Sequence, residues 1–296
     1  MRIAYLIIAH NHFDILKKSL EFLDSDNADF YIHIDKKAID FDKSTILNHL
    51  NKSKCFFIEP MVVNWGGYSL VKCTMSLLKE AVSKQYDYYH FLSGVDYPIK
   101  SKEYIENFTF QHLDVNFIDF EEDNISYKYK ERMKYYYFLQ DLNIISPTLK
   151  KLCYKIDNLS VRIQKLLKVN RIDAQFEICL KKGAEWFSIN HKLANKIIEN
   201  FGEIQSHFKY SRCSDELFIQ TMVCFLKHTD TLYNYELKND SRNCARYIDW
   251  ERGMPYIFEK NDISELLEAP AECLFARKFD DIQVINDLEN YLKFND

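Results

Sequence analysis

Short apolar runs alternate with amphipathic stretches through the first 120 residues, and this alternation restricts the fold more than any other feature. "RIAYLIIAH" is a β-branched run of strand length, and "HFDILKKSLEFLDS" follows with apolar residues at helical spacing. "DFYIHID", "CFFIEP" and "VNFIDF" read as further strands, as does "YDYYHFLSGVDYPIKS", which ends in a turn. "STILNHLNKS" and the longer "SLVKCTMSLLKEAVSKQ" read as the intervening helices. The expected fold class is α/β: a mostly parallel central sheet flanked by helices. Ligands in such folds bind beyond the carboxyl ends of strands. His10, Asp35, Trp65 and Asp96 are therefore expected to face one crevice.

The remaining chain adds detail. Residues 121–180 change character, from the charged and aromatic "EEDNISYKYKERMKYYYF" to a helical "SPTLKKLCYKIDNLSVRIQKLLK" with Pro147 near its start. No Gly/Pro/Ser linker brackets them, so they read as a helical insertion in one domain spanning 1–296. "EWFSIN" is then a strand, "HKLANKIIENF" a helix and "SDELFIQTMVCFLKH" a buried helix. "CARYIDW" and "PYIF" read as short strands, and "DISELLEAP" and "DDIQVINDLENYLKF" as closing helices.

Composition excludes several classes. With 296 residues, 47% hydrophobic and 28% charged, the chain can bury a large core. A net charge of −5 does not ask for a nucleic-acid partner. The six glycines form neither GxGxxG nor a P-loop, which argues against a dinucleotide or Walker-type site. The eight cysteines show no CxxC pair or zinc spacing, and a reducing compartment is the simplest inference. The apolar N-terminal run is too short to span a membrane and lacks a cleavage site, so a cytoplasmic location is expected.

"CSDELFIQTM" places Asp215 and Glu216 at the mouth of an apolar helix. Helix capping by Ser214, with both acids suiting the helix dipole, is one reading. A carboxylate with chemistry to perform is the other.

Eight segments in order carry a resemblance: "AYLIIAH", "YIHIDKKA", "VNWGGYSLV", "HFLSGVDYPIKS", "EWFSIN", "CSDELFIQT", "RYIDW" and "LFARKFD". Together they resemble the core-2/I-branching glycosyltransferase family, which includes peptide O-xylosyltransferases (glycosyltransferase family 14). The resemblance runs from Met1 to about Asp281 and is weak over 121–180. It implies a GT-A-like fold, with a nucleotide-sugar half in 1–120 and an acceptor and catalytic half in 181–296. It also implies metal-independent, inverting transfer from a UDP-sugar to a glycan hydroxyl, with no cofactor.

Inversion needs a base for the incoming hydroxyl, and the resemblance assigns that role to Glu216, with Ser214 or Asp215 capping the helix. It places basic side chains where a metal would otherwise meet the leaving diphosphate. Lys278 is the strongest candidate, with Arg277 beside it and Arg252 or Arg246 as a second cation. Asp35 resembles the uracil contact, near His10, while Asp96 and Trp65, followed by Gly66 and Gly67, complete the donor side. A literal DxD at Asp24–Asp26 reads as a helix-ending loop, and Asp96 alone is a poor chelator. Acceptor contacts are expected from Glu131, Arg132, Asp215, Glu185, Trp186, Asp249 and Trp250.

N-acetylglucosamine is the expected donor sugar, with xylose or another hexose as the alternative. A catalytically inactive glycan-binding module is the rival from another class. The expected setting is a bacterial cytoplasmic enzyme of surface-polysaccharide synthesis, with a glycan or lipid-linked acceptor and peripheral membrane contact.

Overall fold

The structure, a computed structural model, describes residues 1–121 and 125–294. Among them the strands are β1 (Ile3–Ala9), β2 (Ala28–Ile34), β3 (Cys55–Phe57), β4 (Tyr88–Ser93), β5 (Tyr97–Pro98), β6 (Phe117–Ile118), β7 (Phe187–Asn190), β8 (Arg246–Ile248) and β9 (Phe275–Arg277). Six form a central sheet in the order β3-β2-β1-β4-β7-β6, and three form a smaller sheet in the order β5-β9-β8. In the central sheet β1 runs parallel to β2 and β4, and β2 parallel to β3. β7 is antiparallel to both β4 and β6. The α/β expectation holds, with the parallel part of the central sheet confined to the first four strands.

Helices cover both faces, which is why β1 and β2 are apolar on both sides. Ala4 and Leu6 join a core with the helices Tyr68–Val82, His191–Glu199 and Asp215–Phe225. Ile3, Tyr5 and Ile7 alternate to the other face, against the helix Phe13–Leu23. The eight cysteines are free.

Two short elements differ from the sequence reading. "PYIF" forms no strand: Tyr256 and Phe258 donate their amides to the Asp249 and Lys278 carbonyls without building a ladder. "LFARKFD" supplies β9 instead, buried between β5 and β8. The described part of the 121–180 segment carries the helices Tyr127–Lys134, Pro147–Leu166 and Ala174–Cys179, and no strand. Ser146 caps the second of these, with Pro147 in its first turn.

Arg246 joins the two sheets from inside. It is fully buried, donates from Nη2 to the Phe91 carbonyl at 2.8 Å and from Nη1 to the Cys244 carbonyl at 2.9 Å, and lies over the Phe275 ring. The expectation that it meets a diphosphate is corrected: its Nη donors face backbone carbonyls and the Ser188 hydroxyl, and no solvent.

Candidate active site

A cleft of about 890 Å³ opens beside the carboxyl end of the central sheet. Its wall includes the start of the Asp215–Phe225 helix, the segment before β7, and the ends of β8 and β9. The helix is buried from Leu217 to Val223, so its first turn is fixed at the rim.

Neighbouring backbone is stitched to that helix. Gly183 donates its amide to the Glu216 carbonyl at 3.0 Å, and Gln220 Nε2 donates to the Asp119 and Ala184 carbonyls at 2.9 and 2.6 Å. A Cβ at Gly183 would stand 2.0 Å from the Asp119 carbonyl oxygen, so only glycine permits this approach. The stitching brings Lys182, Glu185 and Trp186 to the same wall as Glu216. Gly66, with φ +68°, accepts the Cys213 amide at 2.8 Å and sets Trp65 at the rim, where it is 81% exposed.

Glu216 faces the cleft rather than the apolar core. Its Oε2 accepts from Arg132 Nη1 at 2.7 Å and lies 3.8 Å from Lys182 Nζ. Both cations stand over the Tyr129 ring, at 4.7 and 4.8 Å, and Lys182 also pairs with Glu121. Among the described residues these contacts use Oε2 alone, leaving Oε1 open to a ligand.

Ser214 and Asp215 do not cap the helix. Ser214 already has helical backbone angles, φ −74° and ψ −21°, and its Oγ finds no partner among the described residues. A cap residue needs extended backbone for its side chain to reach back to the first amides. Asp215 Oδ1 is also buried without a partner. Burial raises the Asp215 carboxyl above the usual range, and the Glu216 charge adds to this. Glu185 is raised further, first by burial, then by Asp215, with Arg277 opposing.

Arg277 reaches the cleft from the end of β9. It donates to Ser93 Oγ at 2.6 Å and to Asp96 Oδ1 at 2.9 Å, with its guanidinium over the Trp186 ring at 4.3 Å. Lys278, expected to lead, does not line the cleft. It is half-buried, and its carbonyl accepts from the Phe258 amide. Arg252 lines the cleft, but its guanidinium is taken up by Asp249, Asp262 and Glu265. Asp249 is thereby turned to its own loop, while Trp250 is exposed on the cleft wall.

The expected common crevice is only partly formed. Asp35 and His10 meet at the ends of β2 and β1 but do not line the cleft. Asp35 accepts from the Lys37 amide at 2.8 Å, an Asx turn, and pairs with Lys37 Nζ. Burial holds His10 below its usual range, with Asp35 opposing and Lys37 and Arg277 reinforcing the shift. Asp96 lies beneath Arg277, bonded to the Ser93 amide and hydroxyl. Glu131 pairs with Lys165 away from the cleft, so of the "KERMK" pair only Arg132 reaches the site, and it meets Glu216.

Asp24 accepts the amides of Asn51, Lys52 and Ser53, a loop role remote from the cleft. No group of three metal-ligating side chains forms among the described residues. Sequence reading missed Lys182, Asp119 and Tyr129. Lys182 carried one usable signal, its place directly before Gly183, a glycine that must pack closely, and three residues before Glu185.

The Core-2/I-Branching enzyme family model matches residues 3–267. The chain belongs to this family. Its curated relatives include xylosyltransferase 1 of Rattus norvegicus, 24% identical over 100% of this chain and 36% of that protein. Human xylosyltransferase 2 is 23% identical over 95% of this chain and 32% of its own length. This branching-family chain thus spans about a third of the length of those relatives. Among solved structures, mouse xyloside xylosyltransferase 1 in its apo form is similar over 93% of this chain and 97% of that chain, with 9% identity and a TM-score of 0.38. A likeness at that level adds nothing to the family assignment.

Proposed function

We propose that this chain is an inverting glycosyltransferase that moves a sugar from a UDP-sugar to a glycan hydroxyl. The observation that carries the reading is the placement of Glu216, a carboxylate on a rigid helix start, in one cleft with the Arg277 guanidinium. In the reaction the acceptor oxygen forms a bond to the anomeric carbon while that carbon's bond to the diphosphate oxygen breaks. The hydroxyl proton passes to Glu216 Oε1, and UDP departs with the electron pair.

A base in hydrogen-bond reach contributes about 10²–10⁴-fold to such a step. Arg132 and Lys182 hold Oε2 and so fix the carboxylate's orientation. Arg277 supplies a fixed cation for the growing charge on the diphosphate, which makes a metal unnecessary. Lys278 follows Arg277 directly but does not line the cleft. Trp65 and Trp250 offer exposed ring faces to sugars at the rim, and Asp215 and Glu185, whose carboxyls burial raises, line the same cleft and can hydrogen-bond sugar hydroxyls.

N-acetylglucosamine is the proposed donor sugar, with xylose favoured second because curated relatives carry that name. The acceptor is proposed to be a surface-polysaccharide precursor, glycan or lipid-linked, met at the cytoplasmic face of a membrane. The test is release of UDP across a panel of UDP-sugars with EDTA present. Turnover of one UDP-sugar unaffected by EDTA is expected. Turnover that needs an added divalent cation would overturn metal independence, and no turnover of any UDP-sugar with glycan acceptors would favour the glycan-binding module.

A further inference from the structure

The Pro147–Leu166 helix is oriented inside out. Leu149, Leu152, Ile156, Leu159, Ile163 and Leu166 follow one another at spacings of three and four, which aligns them in one stripe. Each is between 47% and 83% exposed. The side turned to the protein is mostly polar instead, with Val161 its one buried apolar residue. Gln164 bonds both the amide and the carbonyl of Tyr136, at 2.8 and 2.9 Å, Asp157 accepts the Leu139 amide, and Asn158 accepts from Arg212 at 3.0 Å. The fold thus satisfies the helix's polar groups internally and leaves its apolar stripe without cover, over about 25–30 Å of helix length. A stripe of that size marks an interaction surface.

Charge decides what covers it. Residues 146–168 contain six Lys or Arg and one acid, Asp157, in a chain of net charge −5. Asp157 points inward, so the outward charge is positive. Lys151, Lys155 and Arg162, at spacings of four and seven, run alongside the stripe. Two copies packed antiparallel, stripe to stripe, would bring these rows together and repel. An apolar stripe bordered by cations is the pattern of a helix that lies in a membrane interface, and no helix among the described residues is long and apolar enough to cross one.

We propose that this helix docks the protein flat on an anionic lipid surface, with the leucine and isoleucine side chains in the headgroup boundary and the cations over lipid phosphates. The inference deepens the membrane contact proposed above, and Lys165 ties this helix to Glu131 in the segment that also carries Arg132.

The test is co-sedimentation of the full chain with vesicles of phosphatidylcholine, with and without phosphatidylglycerol. These vesicles contain no glycan, so the outcome is independent of the catalytic reading. Binding to the anionic vesicles at least about tenfold tighter than to neutral ones is expected, weakening with salt. Ile156→Asp with Leu159→Asp, and separately Lys151→Glu with Lys155→Glu and Arg162→Glu, are each expected to lose about tenfold or more. All five side chains are exposed, so melting temperatures should stay at wild type. Equal binding to both vesicles, no binding to either, or variants that bind like wild type would overturn the proposal. So would a lipid-free dimer that the Ile156→Asp, Leu159→Asp variant dissolves, since a second copy would then own the stripe.

Discussion

Arg277→Met separates the two tasks the structure gives Arg277. Its guanidinium donates to Asp96 Oδ1 at 2.9 Å and Ser93 Oγ at 2.6 Å, with side-chain exposures of 17% for Arg277 and 0% for Asp96. Removing one partner of a buried ion pair costs about 3–5 kcal/mol. Here Asp96 keeps two hydrogen bonds from Ser93, both at 2.8 Å, and Arg277 is partly open. Roughly 2–3 kcal/mol is therefore expected, or about 4 °C in Tm for a chain of this size. Adding Asp96→Asn removes the stranded charge and should return about 1–2 kcal/mol. UDP affinity should fall about tenfold or more in both variants, because the lost charge-assisted hydrogen bonds are not restored. Urea unfolding followed by tryptophan fluorescence, with titration calorimetry for UDP, checks both arms. An unchanged urea midpoint, or a double variant no more stable than Arg277→Met, would refute the ion-pair argument. Unchanged UDP affinity would refute the donor-side role.

Glu185→Gln should change the pH dependence of stability. Burial raises the Glu185 carboxyl in the folded state, so between about pH 4 and about pH 8 the folded chain holds more protons than the unfolded one and wild type loses stability as pH rises. The Gln variant should match wild type at the acid end and exceed it at the alkaline end of a urea-midpoint series; parallel curves would contradict the assignment. Gly183→Ala should cost about 3 kcal/mol or more, because its methyl would meet the Asp119 backbone at 2.0 Å, and an unchanged Tm would show that the close approach is not needed. Arg246→Met should cost a similar amount by orphaning the Phe91 and Cys244 carbonyls, yet leave UDP affinity of the folded protein unchanged. A selective loss of UDP binding there would return Arg246 to the donor side.

The sheet was legible because β1, β2 and β4 announce themselves by apolar content alone, and the buried helix after Ser214 by its uninterrupted run. β9 was not, since three residues of "FAR" have no periodicity and become a strand only by pairing with β5 and β8. The Tyr127–Lys134 helix was missed because Met133 is its one buried residue, which leaves no apolar stripe to read. In the site, Glu216, Arg277, Trp65 and Trp250 could be picked out by residue type and segment. Whether a cation is free or engaged could not. Tertiary packing alone surrounds Arg252 with three carboxylates and buries Arg246 among carbonyls, while it holds Arg277 on Asp96 and Ser93 at the cleft wall. Arg132 likewise has no sequence mark of its partner, 84 residues away.

The central claim is that Glu216 takes the acceptor's proton. Glu216→Gln keeps the side chain's shape and its place beside Arg132 while removing the basic oxygen. The decisive measurement is UDP release with donor and acceptor present, set against UDP affinity of the same protein. Turnover reduced by about 10²–10⁴-fold, with UDP affinity within about twofold of wild type, is the predicted result. Turnover within about tenfold of wild type, or loss of UDP binding in step with activity, would contradict the account.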